Sequence, residues 1–380
     1  MNVAIVESLD RVNAREWDGL LTQGYPFLRH AFLHALERHQ GLGPGTGWHP
    51  RYLLMREGAK LVGALPLYLK DHSWGEFVFD WAWADACRRS GVRYYPKLII
   101  AAPYTPATGP RLLTAPEPRR PALIQALAAA AMDYARDSGV SSLHGLFMTE
   151  EALQALEQHG ALRRTGCQFH WYKGEDETFE DYLARFTSAK RKKIKRERRQ
   201  VKEAGITTRV LTGEQVEDAH WRCFYRCYRD TFLRKSGFVP LPLAFFQTVG
   251  RTLSDAVVLA LAEHRGKAVA AALSFRGDKV LYGRYWGSEA CYHSLHFELC
   301  YYTGIEYCLR QGIHRFEPGA QGEHKVSRGF LPRATYSAHW LKDRHFHNAV
   351  AKFLRYEQRE MDYYMKSLLS HSPFKTPRPL

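Results

Sequence analysis

Residues 316–330 hold three glycines (Gly319, Gly322, Gly329), two carboxylates (Glu317, Glu323), the amide of Gln321, and His324, Lys325 and Arg328. Carboxylates and an imidazole can take a proton from an acid or an amine, while a lysine and an arginine can hold a phosphate or a carboxylate. Glycines let backbone approach a ligand and adopt positive φ without a Cβ penalty. Residues 312–316 read as a short strand entered from a helix. The cluster then lies at a strand end, where α/β sheets place their ligands. A polar surface loop would explain the glycines alone, but it would seldom concentrate so many different functional groups.

Other candidates lie nearby in sequence. Arg284, Tyr285 and Trp286 combine a cation with two aromatic faces, suited to an anion and to stacking or walling a pocket. Core packing suits the two aromatics equally well. Glu298 lies near a helix N-terminus, which stabilises a carboxylate, and His296 two residues earlier suits either a ligand or a packed core. His293, His296 and Cys300 imitate a metal set, but one helix presents only part of a coordination shell, so zinc is set aside and no metal is expected. A second stretch, residues 188–202, carries Lys190, Arg191, Lys192, Lys195 and Arg198 with Glu197 as its lone acid. Ile194 and Val201, seven apart, give this helix only a thin apolar seam. Like charges one turn apart repel, so the helix either is solvated or binds an anion.

Composition sets the frame for these residues. A chain of 380 residues exceeds one typical domain. Hydrophobic content of 45% with 13% aromatics supports packed cores and excludes global disorder. A net charge of +15 favours acidic partners: nucleic acid, nucleotide-linked substrates or anionic lipid heads. Seven scattered cysteines without a CxxC pair fit reduced thiols rather than a disulfide frame. The N-terminal residues lack a basic and apolar leader, and no apolar run approaches the roughly 20 residues of a membrane helix. A cytoplasmic location is expected, with peripheral membrane contact left open.

The positioning elements follow from periodicity. Residues 51–55 and 61–69 read as two strands, with Pro66 needing an edge or a bulge. The aromatic-rich run 74–83 suits a rigid wall or core, and core is the preferred reading for most of it. Residues 121–138 form a helix with Pro121 in its first turn and Gly139 at its end. The glycine-rich residues 41–47 lack the Gly-Lys-Ser/Thr ending of a phosphate loop and read as a connector. Residues 257–262, 268–275 and 280–286 form three strands with turns at Gly266 and Gly277, and 295–310 a helix. Residues 334–341 form one more strand, and 345–369 a final amphipathic helix. A weak internal echo links the two halves: strand, glycine turn and small-residue strand recur at 51–69 and 257–275. The expected fold class is α/β. The expected domains are residues 1–175, residues 176–344 with the basic helix 188–204 leading into them, and a helix with tail over 345–380.

This order of meander, helix and strand, taken twice, resembles tandem Gcn5-related N-acetyltransferase (GNAT) units, and with the basic helix 191–205 it resembles the FemAB-like acyltransferases. Tyr94 to Lys97, Gln168 to Trp171, Gly283 to Gly287, Leu295 to Glu298 and Gly319 to Lys325 are similar to the bacterial subfamily of predicted N-acyltransferases. The long insertion that forms a coiled-coil arm in Fem proteins has no counterpart here. After residues 280–286 the chain reads Gly287-Ser288-Glu289-Ala290, without the glycine motif that grips acetyl-CoA pyrophosphate.

The resemblance implies transfer of an aminoacyl or acyl group onto an amine, such as a peptidoglycan precursor. It implies aminoacyl-tRNA as donor, with acyl-CoA or an acyl-carrier protein as the alternative, and no tightly bound cofactor. A module that binds RNA or cell-wall precursors without catalysis is the reading from another class. Under the transferase reading Glu317, Glu323 and His324 are base or amine-orienting candidates. Arg284, Tyr285, Trp286, His296, Glu298, Gln321, Lys325 and Arg328 would contact substrate, and Lys190, Arg191, Lys192, Lys195 and Arg198 would bind anionic donor.

Overall fold

The computed structural model describes residues 1–21, 24–320 and 322–375, and it divides into two units: Met1–Cys167 with Ala334–Tyr364, and Gln168–Arg333 with Met365–Leu380. Each unit is α/β, built on mostly antiparallel strands with helices against them, as the sequence implied.

In the first unit the strand pair expected over 51–69 divides at its proline. Lys60–Leu65 pairs with Tyr52–Glu57 in a four-stranded antiparallel sheet, whereas Leu67–Lys70 pairs with Lys97–Ile100 in another. Pro66 falls at the switch, where its missing N–H breaks no ladder. Lys97–Ile100 runs parallel to Ser142–Met148, which pairs with Tyr336 to Leu341. The helix Arg120–Asp137 presses Leu123, Leu127, Ala131 and Ala135 onto Leu53, Val62, Leu98 and Leu143. The four-residue spacing of that stripe keeps it on one face of the helix.

One expectation for this unit is corrected. Of the five large aromatics between residues 74 and 83, only Trp83 is core; Trp74, Phe77, Phe79 and Trp81 are exposed. Their polar neighbours turn inward instead, because buried Lys97 requires counter-charges. Its Nζ donates to Ser73 Oγ at 2.7 Å and Glu76 Oε2 at 2.9 Å, and it pairs closely with Asp80.

The second unit opens its sheet with an antiparallel meander: Ile206–Thr212, Val257–His264, Lys267–Arg276 and Val280–Ser288. Arg315–Glu317 then joins in parallel beside Val280–Ser288 and pairs on its other side with Trp171 and Tyr172. The basic helix spans Ser188–Glu203 and buries Ile194, Glu197 and Val201. Glu197 thus completes the apolar seam at i, i+3 and i+7. The helix expected over 295–310 is interrupted by a π-helical turn, Glu298–Tyr302, between Leu295–Phe297 and Thr303–Gln311. Such turns recur at functional sites.

Candidate active site

The register of the two parallel strands fixes the centre of the site. Val280, Leu281 and Tyr282 pair with Arg315, Phe316 and Glu317, and there the pairing stops. Val280–Ser288 runs on, while the other chain turns away through Pro318 and Gly319. A Cβ on Gly283 would lie 3.2 Å from Pro318 Cα, and Gly319 holds φ +95°, so both positions need the small residue. Glu317 therefore sits where two parallel strands part, at the carboxyl end of the shorter one.

Glu317 is buried and ion-paired, with Arg315 Nε 3.0 Å from its Oε1. His170 Nε2 lies 3.9 Å from Oε2, beyond hydrogen-bond distance but within reach of a small shift or a bridging atom. Burial pushes the His170 imidazole down to about 3, with Arg315, Arg333 and Lys325 adding to the effect, so the ring is neutral at neutral pH. The folded pKa is lowered from 6.5 to about 3. Between those values the unfolded chain binds a proton that the folded one refuses, so stability falls as pH drops through that window. His170→Gln should flatten this acid limb, read as a smaller loss of urea midpoint between neutral and mildly acidic pH than in the wild type.

A second group of side chains continues from the same turn. Lys325 Nζ donates to Gly319 O at 2.8 Å, tying residue 325 back to the glycine beside Glu317. Burial pushes Lys325 down to about 8, so a fraction of it is neutral near physiological pH. His324 Nε2 and the Tyr301 hydroxyl are in hydrogen-bond contact at 2.8 Å. His296 stands edge-on to Trp286 at 5.2 Å and to Tyr301 at 5.3 Å between ring centroids. Burial holds His296 down to about 4, helped by His324 and Lys325, and burial, Lys325 and Arg328 likewise lower His324. The result is a wall of neutral imidazoles and aromatic rings with one cation of adjustable charge.

A buried clamp supports this wall. Arg328 Nη2 donates to Glu197 Oε1 at 2.6 Å and its Nε to Oε2 at 3.2 Å, while the Tyr302 hydroxyl donates to the same carboxylate. The guanidinium also donates to His324 O at 2.9 Å and lies 3.3 Å from the Phe297 ring centre. Arg328 thus holds the turn in place and is committed to groups of its own chain. Arg198 is similarly occupied: it donates to Glu298 at 3.0–3.2 Å and to Glu306 at 2.7 Å. Glu298, which burial raises against the pull of Arg198, is the inner partner of that pair.

The remaining sequence candidates are spread more widely. Arg284 is half-buried at the bulge opposite Leu273 and Ser274, with its guanidinium 5.1 Å from the Tyr285 ring. Tyr285 faces the other side of the strand, against Tyr228 at 5.1 Å and Phe246 at 5.7 Å. Glu323 is exposed at the head of the 3-10 turn Glu323–Arg328. Gln321 lies outside the described residues. On the basic helix Lys190 and Arg191 are half-buried and Lys192 is exposed, while Lys195 reaches Glu180 at 3.0 Å. Among the described residues no group of three or more His, Cys, Asp or Glu is placed to hold a metal ion. Sequence reasoning left His170, Arg315, Tyr301 and Tyr302 out of the site. His170 lies within Gln168 to Trp171, one of the stretches that carry the family resemblance, and Glu197 stands out as the one acid among the cations of residues 188–202.

The comparisons bear on this geometry. A family model, FemAB_like, described as peptidoglycan biosynthesis/recognition, matches residues 8–376. No curated protein matches the sequence. Among solved structures, FemX is similar with a TM-score of 0.56 at 11% identity, over 92% of this chain and 100% of its own. The C-terminal domain (DUF2156) of a putative lysylphosphatidylglycerol synthetase from Agrobacterium fabrum gives 0.53 at 12% identity, over 89% and 94%. L-PGS from Bacillus licheniformis gives 0.51 at 13% identity, over 84% and 95%. At these identities the likeness is one of fold.

Proposed function

Because the chain belongs to the FemAB-like family of acyltransferases, we propose that its second unit transfers an aminoacyl group from aminoacyl-tRNA onto the amine of a cell-wall precursor in the cytoplasm. The observation that carries this reading is the parting of the parallel strands at Glu317. Past Tyr282 no strand among the described residues is paired with Val280–Ser288 on that side, and an extended acyl donor would align along this edge. Glu317 stands at the mouth of that gap as the base.

In this reaction the acceptor nitrogen attacks the acyl carbonyl carbon, forming the N–C bond. Glu317 removes the ammonium proton before attack, with the neutral His170 ring beside it at 3.9 Å. The carbonyl oxygen gains negative charge in the tetrahedral intermediate, where Lys325 offsets it. Collapse breaks the ester C–O bond, and the proton that the nitrogen sheds on becoming an amide reaches the leaving oxygen through the His324–Tyr301 pair. Lys190, Arg191, Lys192 and Lys195 hold donor phosphates, and Arg284 and Trp286 contact the substrate.

Binding across a salt series tests the donor. Four phosphate contacts predict a loss of about 50- to 150-fold in aminoacyl-tRNA affinity over a fourfold rise in salt, with charged tRNA preferred over deacylated tRNA. Tight acyl-CoA binding with a shallow salt slope would replace the tRNA ester by a thioester donor. Weak RNA binding without preference for the aminoacyl end would remove the support for the donor.

A further inference from the structure

The segment between Ser73 and Trp81 is folded inside out. Ser73, Glu76 and Asp80 point inward around Lys97, whose side chain is 0% exposed. Trp74, Phe77, Phe79 and Trp81 point outward and are 67%, 40%, 53% and 41% exposed. Glu76 Oε1 and Asp80 Oδ1 are buried without a hydrogen-bond partner among the described residues, so the inward side is not there for its own stability. Exposing four large aromatics on one short segment is also unfavourable in water. A chain that accepts both costs is holding its rings outward for contact with something apolar.

The segment is braced for that task. Lys70 Nζ donates to Trp74 O at 3.2 Å. Arg164 donates to Phe79 O at 2.7 Å and pairs with Glu357 at 2.7 Å, which joins the segment to the helix Arg344–Ser370. The Trp74 and Trp81 rings meet at 5.4 Å. On the helix, Phe353 is 43% exposed and its ring lies 6.5 Å from Trp83. Exposed Lys352, Arg355 and Arg359, spaced i, i+3 and i+7, form one stripe of that helix to one side of Phe353. No helix among the described residues is long and apolar enough to cross a membrane.

We propose that the aromatic segment 74–81, with Phe353 and the cations beside it, docks this protein on an anionic phospholipid bilayer. Tryptophan and phenylalanine seat at the level of the headgroups, where the indole N–H stays hydrated and the ring leaves water. Lys352, Arg355 and Arg359 meet lipid phosphates, and the net charge of +15 draws the chain to such a surface. Rings projecting from one short braced segment suit a deformable interface better than a flat protein face. The inference does not depend on the acyl-transfer reading, since lipid alone tests it.

The full chain is mixed with phosphatidylcholine vesicles with and without phosphatidylglycerol. The wild type should bind the anionic vesicles in preference, and brominated lipid should quench part of its tryptophan fluorescence. Trp74→Ser, Phe79→Ser and Trp81→Ser combined should lower binding by about tenfold or more and remove that quenching. Phe238→Ser, at an exposed aromatic of the second unit, should leave binding unchanged. Near-UV circular dichroism checks that each variant is folded. Equal binding by the triple variant, or no binding by the wild type, would overturn the proposal. Loss of a wild-type dimer in the triple variant, without vesicle binding by either, would give the surface to a second copy of the chain instead.

Discussion

Glu317→Gln lowers acyl transfer by about 10²–10⁴-fold and leaves donor affinity unchanged. The amide keeps the size and polarity of the side chain but cannot take the ammonium proton. Because Arg315 then lacks its charge partner at 3.0 Å, the thermal midpoint falls as well, and turnover is compared well below it. Single-turnover transfer at several pH values separates the two effects: a lost base removes the acid limb of the rate profile, whereas a loosened fold lowers the rate at every pH. Unchanged turnover would return Glu317 to the role of a structural partner for Arg315. Glu323→Gln is the matching test of the exposed carboxylate, and His324→Gln tests the return of the proton.

Glu197→Ala destabilises the second unit by about 3–5 kcal/mol, the range for breaking a buried ion pair by removing one partner. The change strands the Arg328 guanidinium, 3% exposed, and takes the acceptor from the Tyr302 hydroxyl. Urea unfolding measures the loss. The double replacement Glu197→Leu with Arg328→Leu should recover most of it, since well-packed apolar residues often match a buried pair. A loss below about 1 kcal/mol for Glu197→Ala, the range of exposed pairs, would show that water reaches the clamp.

The sequence made some of this visible and hid the rest for identifiable reasons. The helix Arg120–Asp137 and the meander of the second unit were legible because their signals are local: a stripe with a helical period in one, glycine turns between short apolar runs in the other. Glu317 was legible because it ends a strand. His170 was not, because its nearness to Glu317 depends on Phe316 pairing with Trp171, nearly the whole unit away along the chain. Arg328 and Arg198 look like anion binders when only their charge is read, but they are matched by Glu197, Glu298 and Glu306, which sit on other elements or in another turn. The outward rings of Trp74 and Trp81 were hidden by the same cause. Aromatic content alone suggests burial, and only the demand of Lys97 for three polar partners reverses it.

The membership of the first unit has a consequence during synthesis. Its strand Ser142–Met148 pairs with Tyr336 to Leu341, and its aromatic cluster of Trp83, Cys87 and Tyr94 is closed by Val350 and Leu354. These partners leave the ribosome only after the whole of Gln168–Arg333 has been made. The N-terminal unit therefore cannot finish folding as it emerges, and its sheet waits with an unpaired edge while the intervening unit is translated. A nascent chain stalled before residue 334 should be sensitive to protease and prone to bind holdase chaperones. A circular permutant that supplies residues 334–364 ahead of residue 1 would shorten that wait.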